Sequence, residues 1–185
     1  MRRILAAILL ALVAAAPAAR SQGISSFFED RMADAVRNGN VQEAREALLK
    51  GANPNSKANS EYYYLIEATR ANQAGIIRLL IEHNADPATR DQLGNTALHW
   101  AAEGNKPEIA RLLLGGRADI NAQDRNGLTP LMKAVQANHP AVVELLLREK
   151  ADIALTDFTG RSALDIAQRE RRTQIANMLK AAQKK

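Results

Sequence analysis

Apolar residues recur along the chain with a period of 33 residues. Segments 76–80, 109–113 and 142–146 each carry isoleucine or valine followed three and four positions later by leucine, a spacing typical of the buried face of a helix. A column of small residues precedes them at one position of the repeat: Ala35, Ala68, Ala101, Ala134 and Ala167. Because no such unit can bury its own apolar face, the pattern predicts short helix pairs that stack on one another.

Polar residues at fixed positions of the repeat predict where these helices begin and end. An Asp-x-x-Gly sequence favours a tight turn, because the carboxylate bonds nearby backbone and glycine accepts a positive φ. A hydroxyl residue that can cap the next helix follows each turn. The turns begin at Asp91, Asp124 and Asp157, and the caps are Thr96, Thr129 and Ser162. The first helices end at residues that tolerate the left-handed conformation: Gly39, Asn72, Asn105 and Asn138.

These motifs resemble those of the ankyrin family. Asp124-Arg-Asn-Gly-Leu-Thr-Pro-Leu-Met-Lys-Ala is similar to its turn and first helix, and Val142-Val-Glu-Leu-Leu-Leu to its second helix. The resemblance spans about residues 26–182 and implies an all-α solenoid of about five helix-turn-helix units with projecting β-turns, or fingers. The predicted domain, 26–185, divides into units at about 26–57, 58–90, 91–123, 124–156 and 157–185.

Several places depart from the pattern. In the second unit Glu61 takes the position of the turn glycine, so we expect that turn to be distorted or mobile. Tyr64 takes the position of Ala97 and Ala163 and is predicted to be buried. The sequence Gly115-Gly116-Arg117 predicts that a second helix ends one residue out of register. At the N-terminal end, Ser26-Phe-Phe-Glu29 predicts a capping box that opens the first helix.

The first residues of the chain have a different composition. Two arginines follow Met1, and an apolar run of thirteen residues, Ile4 to Ala16, leads to Ala16-Pro-Ala-Ala. This is the layout of a secretory signal peptide, and thirteen residues of helix rise only about 20 Å against a hydrocarbon core of about 30 Å. We therefore predict a signal peptide over 1–18, cleaved near Ala18 or alternatively after Ser21, and a short linker over 19–25. Export to the periplasm, or secretion, would follow.

Charge and composition exclude several kinds of site. The chain has no cysteine, which removes disulfides and thiolate metal sites. Its net charge of +5 becomes +3 once Arg2 and Arg3 are removed, and seven basic residues lie between Arg161 and Lys185. No aromatic residues interleave with that basic end, so it is interpreted as a solvated end rather than a nucleic-acid site. After cleavage no membrane insertion is expected, and the protein is predicted to be a monomer.

The three histidines do not form a catalytic or metal pattern. His83, His99 and His139 are not spaced as metal ligands, and no nucleophile motif accompanies them. His99 lies at the family's Thr-Pro-Leu-His position, which implies bonding to backbone between turns. His83 and His139 are interpreted as surface residues. No catalytic residue, cofactor or metal is therefore predicted, and the chain is not expected to be an enzyme.

The resemblance implies that another protein binds on the side formed by the fingers and the exposed faces of the first helices. Residues that vary between units there carry no packing duty and are the candidates for contact. On the fingers they are Asn59, Tyr62, Gln92, Leu93, Asn95, Arg125, Asn126, Leu128, Phe158 and Arg161. On the first helices they are Glu67, Arg70, Trp100, Glu103, Lys133, Gln136 and Arg169. Aromatic residues and arginine dominate interface hot spots, although Trp100 is equally consistent with packing between neighbouring first helices.

The leading interpretation is a protein-interaction module of the bacterial envelope whose partner is another protein. A stress-protective or structural envelope protein without a fixed partner is the first alternative. A secreted effector or an immunity protein is the second, because arrays similar to this one occur in such roles. The sequence does not choose among them.

Overall fold

The computed structural model describes residues 17–183, with side chains described from residue 28. Ten α-helices account for the regular structure in that range. They are α1 (Pro17–Asn38), α2 (Val41–Leu49), α3 (Tyr64–Arg70), α4 (Ala74–Glu82), α5 (Ala97–Glu103), α6 (Pro107–Gly115), α7 (Pro130–Gln136), α8 (Pro140–Arg148), α9 (Ala163–Arg169) and α10 (Thr173–Gln183). No helix in the described range has both the length and the hydropathy needed to cross a bilayer.

The helices repeat with the predicted period. Second helices begin at residues 41, 74, 107, 140 and 173, and the first helices of units two to five at 64, 97, 130 and 163. Both series advance by 33 residues, so the predicted all-α array of about five helix pairs is confirmed.

Neighbouring units stack helix on helix. Each first helix packs against the next first helix, each second helix packs against the next second helix, and the two helices of a unit pack on each other. The alanine column lies at the contacts between first helices, and all five of its members are fully buried. A methyl group at this position fills the space between helices that approach closely, and a larger side chain would force them apart.

Helix starts and ends follow the sequence. The Thr129 hydroxyl accepts a hydrogen bond from the Met132 N–H at 3.3 Å. Ser162 and Asp165 form a reciprocal capping box, with the Asp165 N–H donating to Ser162 Oγ and the Ser162 N–H to Asp165 Oδ2. Left-handed residues end the first helices as predicted, with Arg171 in the last unit taking the place of the usual glycine or asparagine: Gly39, Asn72, Asn105, Asn138 and Arg171.

The predicted shift at residues 115–117 is wrong. α6 ends at Gly115 and the left-handed residue is Arg117, with φ 65°, in register with Asn84 and Lys150 at the ends of the second helices before and after it. The glycine at 116 has another reason, because a Cβ there would lie 3.0 Å from Ile81 Cδ1. Gly116 leaves room for the Ile81 side chain of the neighbouring unit, and its φ is not positive.

The second unit has the altered turn that was expected. Glu61 does not adopt a positive φ. The Asn59 side-chain oxygen accepts the Glu61 and Tyr62 N–H groups at 2.8 and 2.9 Å, and the Ala58 N–H still donates to Tyr62 O at 2.9 Å. An asparagine side chain therefore closes this finger in place of the aspartate and glycine of the later units.

The N-terminal end differs from the sequence prediction. α1 begins at Pro17, so residues 19–25 are helical here where a linker was predicted, and Ser26 lies inside the helix rather than at its start. Glu29, predicted to close a capping box, instead accepts the Asn53 N–H at 2.7 Å and lies 3.1 Å from the Tyr64 hydroxyl. Residues 1–16 of the predicted signal peptide lie outside the described residues, and cleavage near Ala18 stays a prediction.

Two buried polar side chains join neighbouring units. Tyr64 is fully buried, as predicted, and its hydroxyl donates to Glu29 O at 2.9 Å; burial, then the nearby Glu29 carboxylate, raise the pKa of Tyr64. His99 is also fully buried. Its Nδ1 accepts the Thr96 N–H at 3.1 Å, so the proton is on Nε2, which donates to Leu128 O of the next finger at 3.0 Å. The predicted backbone-bonding role of His99 is confirmed.

Overpacking the alanine column should weaken the array. Ala134→Leu places three extra carbons where neighbouring first helices meet, and we expect the free energy of unfolding in urea to fall by about 1–3 kcal/mol. Ala141→Leu, at an exposed position of α8, is the matched control and should leave that free energy nearly unchanged. If both variants unfold at the same urea concentration, the contact between first helices does not lie at the alanine column.

The neutral state of His99 should make stability depend on pH. Burial lowers the pKa of His99 from 6.5 to about 4. The unfolded chain therefore binds more protons between these pH values, and the histidine contribution to stability is lost as the pH falls from about 6.5 to about 4, by at most about 3 kcal/mol. His99→Gln should be less stable than the wild type at neutral pH, and the difference in urea unfolding should shrink toward pH 4. Parallel pH profiles would contradict this.

Candidate interaction surface

The fingers project beside the first helices and form one continuous surface with them. We define the finger-helix surface as residues 58–62, 91–95, 124–128 and 157–161 together with the exposed sides of α3, α5, α7 and α9. Its candidate residues come from the part of the repeat that varies between units, so its chemistry changes from one finger to the next.

Each of the last three fingers is built around its aspartate. Oδ1 of Asp124 accepts the N–H groups of Asn126 and Leu128 at 2.8 and 2.9 Å, and the Gly127 N–H donates to Asp124 O at 3.0 Å. The fingers that begin at Asp91 and Asp157 repeat these contacts. Because one carboxylate oxygen fixes two backbone groups, the finger has little freedom to change shape.

The second carboxylate oxygen of each aspartate receives a donor that differs between units. Trp100 Nε1 donates to Asp91 Oδ2 at 2.9 Å, and Lys133 Nζ lies 3.3 Å from Asp124 Oδ2. Arg161 Nε and Nη2 both donate to Asp157 Oδ2, at 2.9 and 2.7 Å. Burial alone would raise the pKa of the Asp157 carboxyl, but hydrogen bonds from Arg161 and Thr159 outweigh it and hold that pKa far below its usual range.

Neighbouring fingers are bonded to each other. The Arg125 N–H donates to Leu93 O and the Phe158 N–H to Asn126 O, each at 3.0 Å. Side chains at the position before the aspartate add to this: Arg90 Nη1 donates to Gly94 O and Gln123 O at 2.8 and 2.6 Å. Gln123 Nε2 makes the equivalent bonds to Gly127 O and Thr156 O, both at 2.9 Å. The sequence interpretation missed Arg90 and Gln123, although both are long donors at one position of the repeat.

A second set of ties joins the first helices to the following unit. Lys106 Nζ donates to Thr69 O and Arg70 O at 3.0 and 2.7 Å. At the same position of later units, His139 Nε2 lies 3.0 Å from Glu103 O, and Arg172 Nη2 donates to Gln136 O at 3.2 Å. His139 is partly exposed, in keeping with its interpretation as a surface residue, and its ring also caps the end of α5.

An aromatic and cationic cluster lies where the second and third units meet. The rings of Tyr62 and Trp100 are 6.0 Å apart and nearly perpendicular. The Arg70 guanidinium lies 4.0 Å from the Tyr62 ring centre and 4.9 Å from that of Trp100, and Arg70 Nη1 bonds Glu67 at 3.2 Å. Trp100 is half-buried and packs against the core, so the packing role left open by the sequence is real, and part of the ring still faces outward.

The finger tips carry the exposed apolar side chains of this surface. We define the tip row as Leu93, Arg125 and Phe158, which come from three consecutive fingers. Leu93 is 62% exposed and Phe158 is 71% exposed. The side chains of Arg125 and Phe158 lie over the glycine of the preceding finger, since a Cβ at Gly94 would be 3.1 Å from Arg125 Cγ and one at Gly127 would be 2.6 Å from Phe158 Cδ1.

Similarity to known proteins extends over nearly the whole array. The family model described as ankyrin repeats (3 copies) matches residues 32–124 and 106–185. The chain belongs to the ankyrin-repeat family. A curated ankyrin repeat protein of Pyrobaculum aerophilum is 35% identical over 75 residues, which are 40% of this chain and 28% of that relative. The chain thus matches well under two thirds of the relative's length. Ankyrin repeats are in general modules that bind other proteins.

The structure separates the predicted contact residues of this ankyrin array into three groups. Asn95 and Leu128 are buried in the fingers, so the prediction that they face a partner is wrong. Residues tied to their neighbours but still partly accessible are Tyr62, Glu67, Trp100, Lys133, Gln136 and Arg161, and Arg70 is exposed although its guanidinium is bonded to Glu67. Residues that are exposed are Asn59, Gln92, Leu93, Glu103, Arg125, Asn126, Phe158 and Arg169.

Nothing in the described part of the ankyrin array has the arrangement of a metal centre. Among residues 28–183, no three His, Asp or Glu side chains come together as ligands. His99 and His139 bond backbone carbonyls, and the finger aspartates are satisfied by backbone and side-chain donors. The surface offers apolar area, aromatic rings and arginine side chains.

Proposed function

We propose that this ankyrin array is a non-enzymatic interaction module of the bacterial envelope that binds a partner protein on its finger-helix surface. The observation that carries the proposal is the tip row, in which exposed Leu93 and Phe158 stand on fingers bonded to one another. Because the backbone of these fingers is already held by hydrogen bonds, less conformational entropy is lost when a partner covers the apolar side chains, and more of the free energy of burial remains as affinity.

The Tyr62, Arg70 and Trp100 cluster supports the same surface. Stacked aromatic and guanidinium groups bury a large area and keep polar atoms for hydrogen bonding, which is why these residue types dominate interface hot spots. The cluster is already assembled by contacts within the array. A partner would therefore meet a preformed site. We propose that the protein acts as a monomer and that its partner is a protein rather than nucleic acid.

We also propose that the protein is exported to the periplasm, with secretion as the further possibility. Its support is the amino-terminal sequence alone: two arginines, an apolar run and small residues before the expected cleavage point. This part of the proposal is independent of the binding surface.

Truncating the exposed residues of the surface should weaken binding. With the partner identified by crosslinking in envelope extract, Phe158→Ala and Trp100→Ala should each cost about 2 kcal/mol or more of binding free energy by calorimetry. Leu49→Ala is the matched control, since Leu49 is 72% exposed but lies on a second helix, and Glu144→Ala on α8 is another. Circular dichroism must show each variant folded. A loss confined to the controls would place binding on the opposite face.

Export has its own test. Mass spectrometry of the protein purified from its native host should find an N-terminus near Ala19 or Arg20. Ala18→Leu puts a large side chain where the peptidase prefers a small one, and should leave the precursor uncut. An intact Met1 on the wild-type protein in the membrane-free fraction would contradict export by this route.

A further inference from the structure

Two hollows lie on either side of the Phe158 ring, at the tips of the last three fingers. The first, of about 430 Å³, is lined by Arg90, Gln123, Arg125 and Phe158 together with the first two turn aspartates. The second, of about 290 Å³, shares Arg125 and Phe158 and is completed by Arg161 and the third turn aspartate. Both hollows therefore combine an aromatic ring with arginine.

The turn aspartates of these hollows are already occupied by contacts within the array. Asp91, Asp124 and Asp157 are all nearly buried, and both oxygens of each carboxylate already accept hydrogen bonds or an ion pair from the array. Lys133 and Arg161 compensate the charges of Asp124 and Asp157, respectively. The donors to Asp91 are neutral, so they occupy its oxygens without cancelling its charge.

The arginines differ from the aspartates in exposure. Arg125 is exposed, and no side chain described between residues 28 and 183 forms an ion pair with its guanidinium. Arg90 is also exposed, and the partners of its guanidinium are backbone carbonyls, which leave its charge uncompensated by a carboxylate. Among the residues that line the two hollows, the exposed charged side chains are therefore Arg90 and Arg125.

The backbone that carries the side chains of the tip row is held in place. Phe158 lies against Gly127 and Arg125 against Gly94, and the Arg125 and Phe158 N–H groups are bonded to the preceding finger. Leu93, on the other side of Arg125, is held by the bond that its carbonyl accepts from the Arg125 N–H. The row thus presents apolar, cationic and apolar groups in a constant order.

We infer that the tip row binds an acidic and apolar peptide segment of the partner, with a carboxylate on Arg125 and apolar side chains against Leu93 and Phe158. The inference rests on the proposed function and specifies the chemistry of the partner. Carboxylate is the anion of unmodified protein side chains, and the planar donors of arginine match its two oxygens. The flanking apolar contacts exclude water from that pair and strengthen it.

The probe is a random-peptide phage library selected on the immobilised wild-type array. Selected sequences should be enriched in Asp or Glu next to Phe, Leu or Trp. Synthetic copies should bind less tightly as salt rises, because the carboxylate and Arg125 attract each other at the protein surface. Arg125→Glu should weaken them about tenfold or more, and replacing the peptide carboxylate with lysine should restore binding to that variant. Phe158→Ser should weaken binding similarly without altering its salt dependence.

The matched control is Arg45→Glu, which makes the same change in net charge at an exposed residue of α2 on the second-helix side. Selected peptides without a carboxylate preference, equal losses for Arg45→Glu and Arg125→Glu, or a library that gives no binder would each overturn the inference. Peptides that lose affinity in Trp100→Ala but keep it in both tip variants would also overturn it, while leaving the proposed interaction function standing. The proposed function itself fails in a different experiment, if the crosslinked partner binds with unchanged affinity to variants across the whole finger-helix surface.

Discussion

Close approach of neighbouring first helices at the alanine column is the constraint on which the remaining structure depends. Each of these alanines is fully buried, and packed helices with small residues between them lie about 8–10 Å apart. At this spacing the backbone of one finger reaches that of the next, which is why the Arg125 and Phe158 N–H groups can bond carbonyls of the preceding finger. The same spacing explains why two of the turns need glycine. Gly94 and Gly127 supply a positive φ and leave room for the next finger's side chain.

Polar ties then convert a stack of helices into a rigid surface. His99 bonds the next finger, Lys106 bonds the end of the preceding first helix, and Arg90 bonds two fingers at once. A buried polar group costs free energy unless it is bonded, so each tie stabilises only the correct stacking of its units. Direct ties between nearest neighbours are what a linear array requires, because residues of distant units never meet.

The same network determines the electrostatics of the candidate surface. The turn aspartates are needed to close the fingers, and burying their charge would be unfavourable without the donors that surround each one. Trp100, Lys133 and Arg161 supply the last of these donors, so residues chosen as contact candidates also hold the fingers together. The Arg125 side chain donates to no turn aspartate in the part of the chain that the structure describes, although its backbone N–H bonds the preceding finger. Structural and interaction roles are therefore divided among residues that look alike in the sequence.

The sequence by itself determined the family, the 33-residue period, the caps at Thr129 and Ser162 and the burial of Tyr64. Those features depend on interactions within a few residues, or on a position that repeats unchanged, and both can be recognised in the sequence alone. The tertiary structure alone decided that Asn95 and Leu128 are buried, that Gly116 accommodates Ile81 and that His139 caps α5. These outcomes depend on distances between residues about one repeat apart, and such distances are fixed only when the units stack.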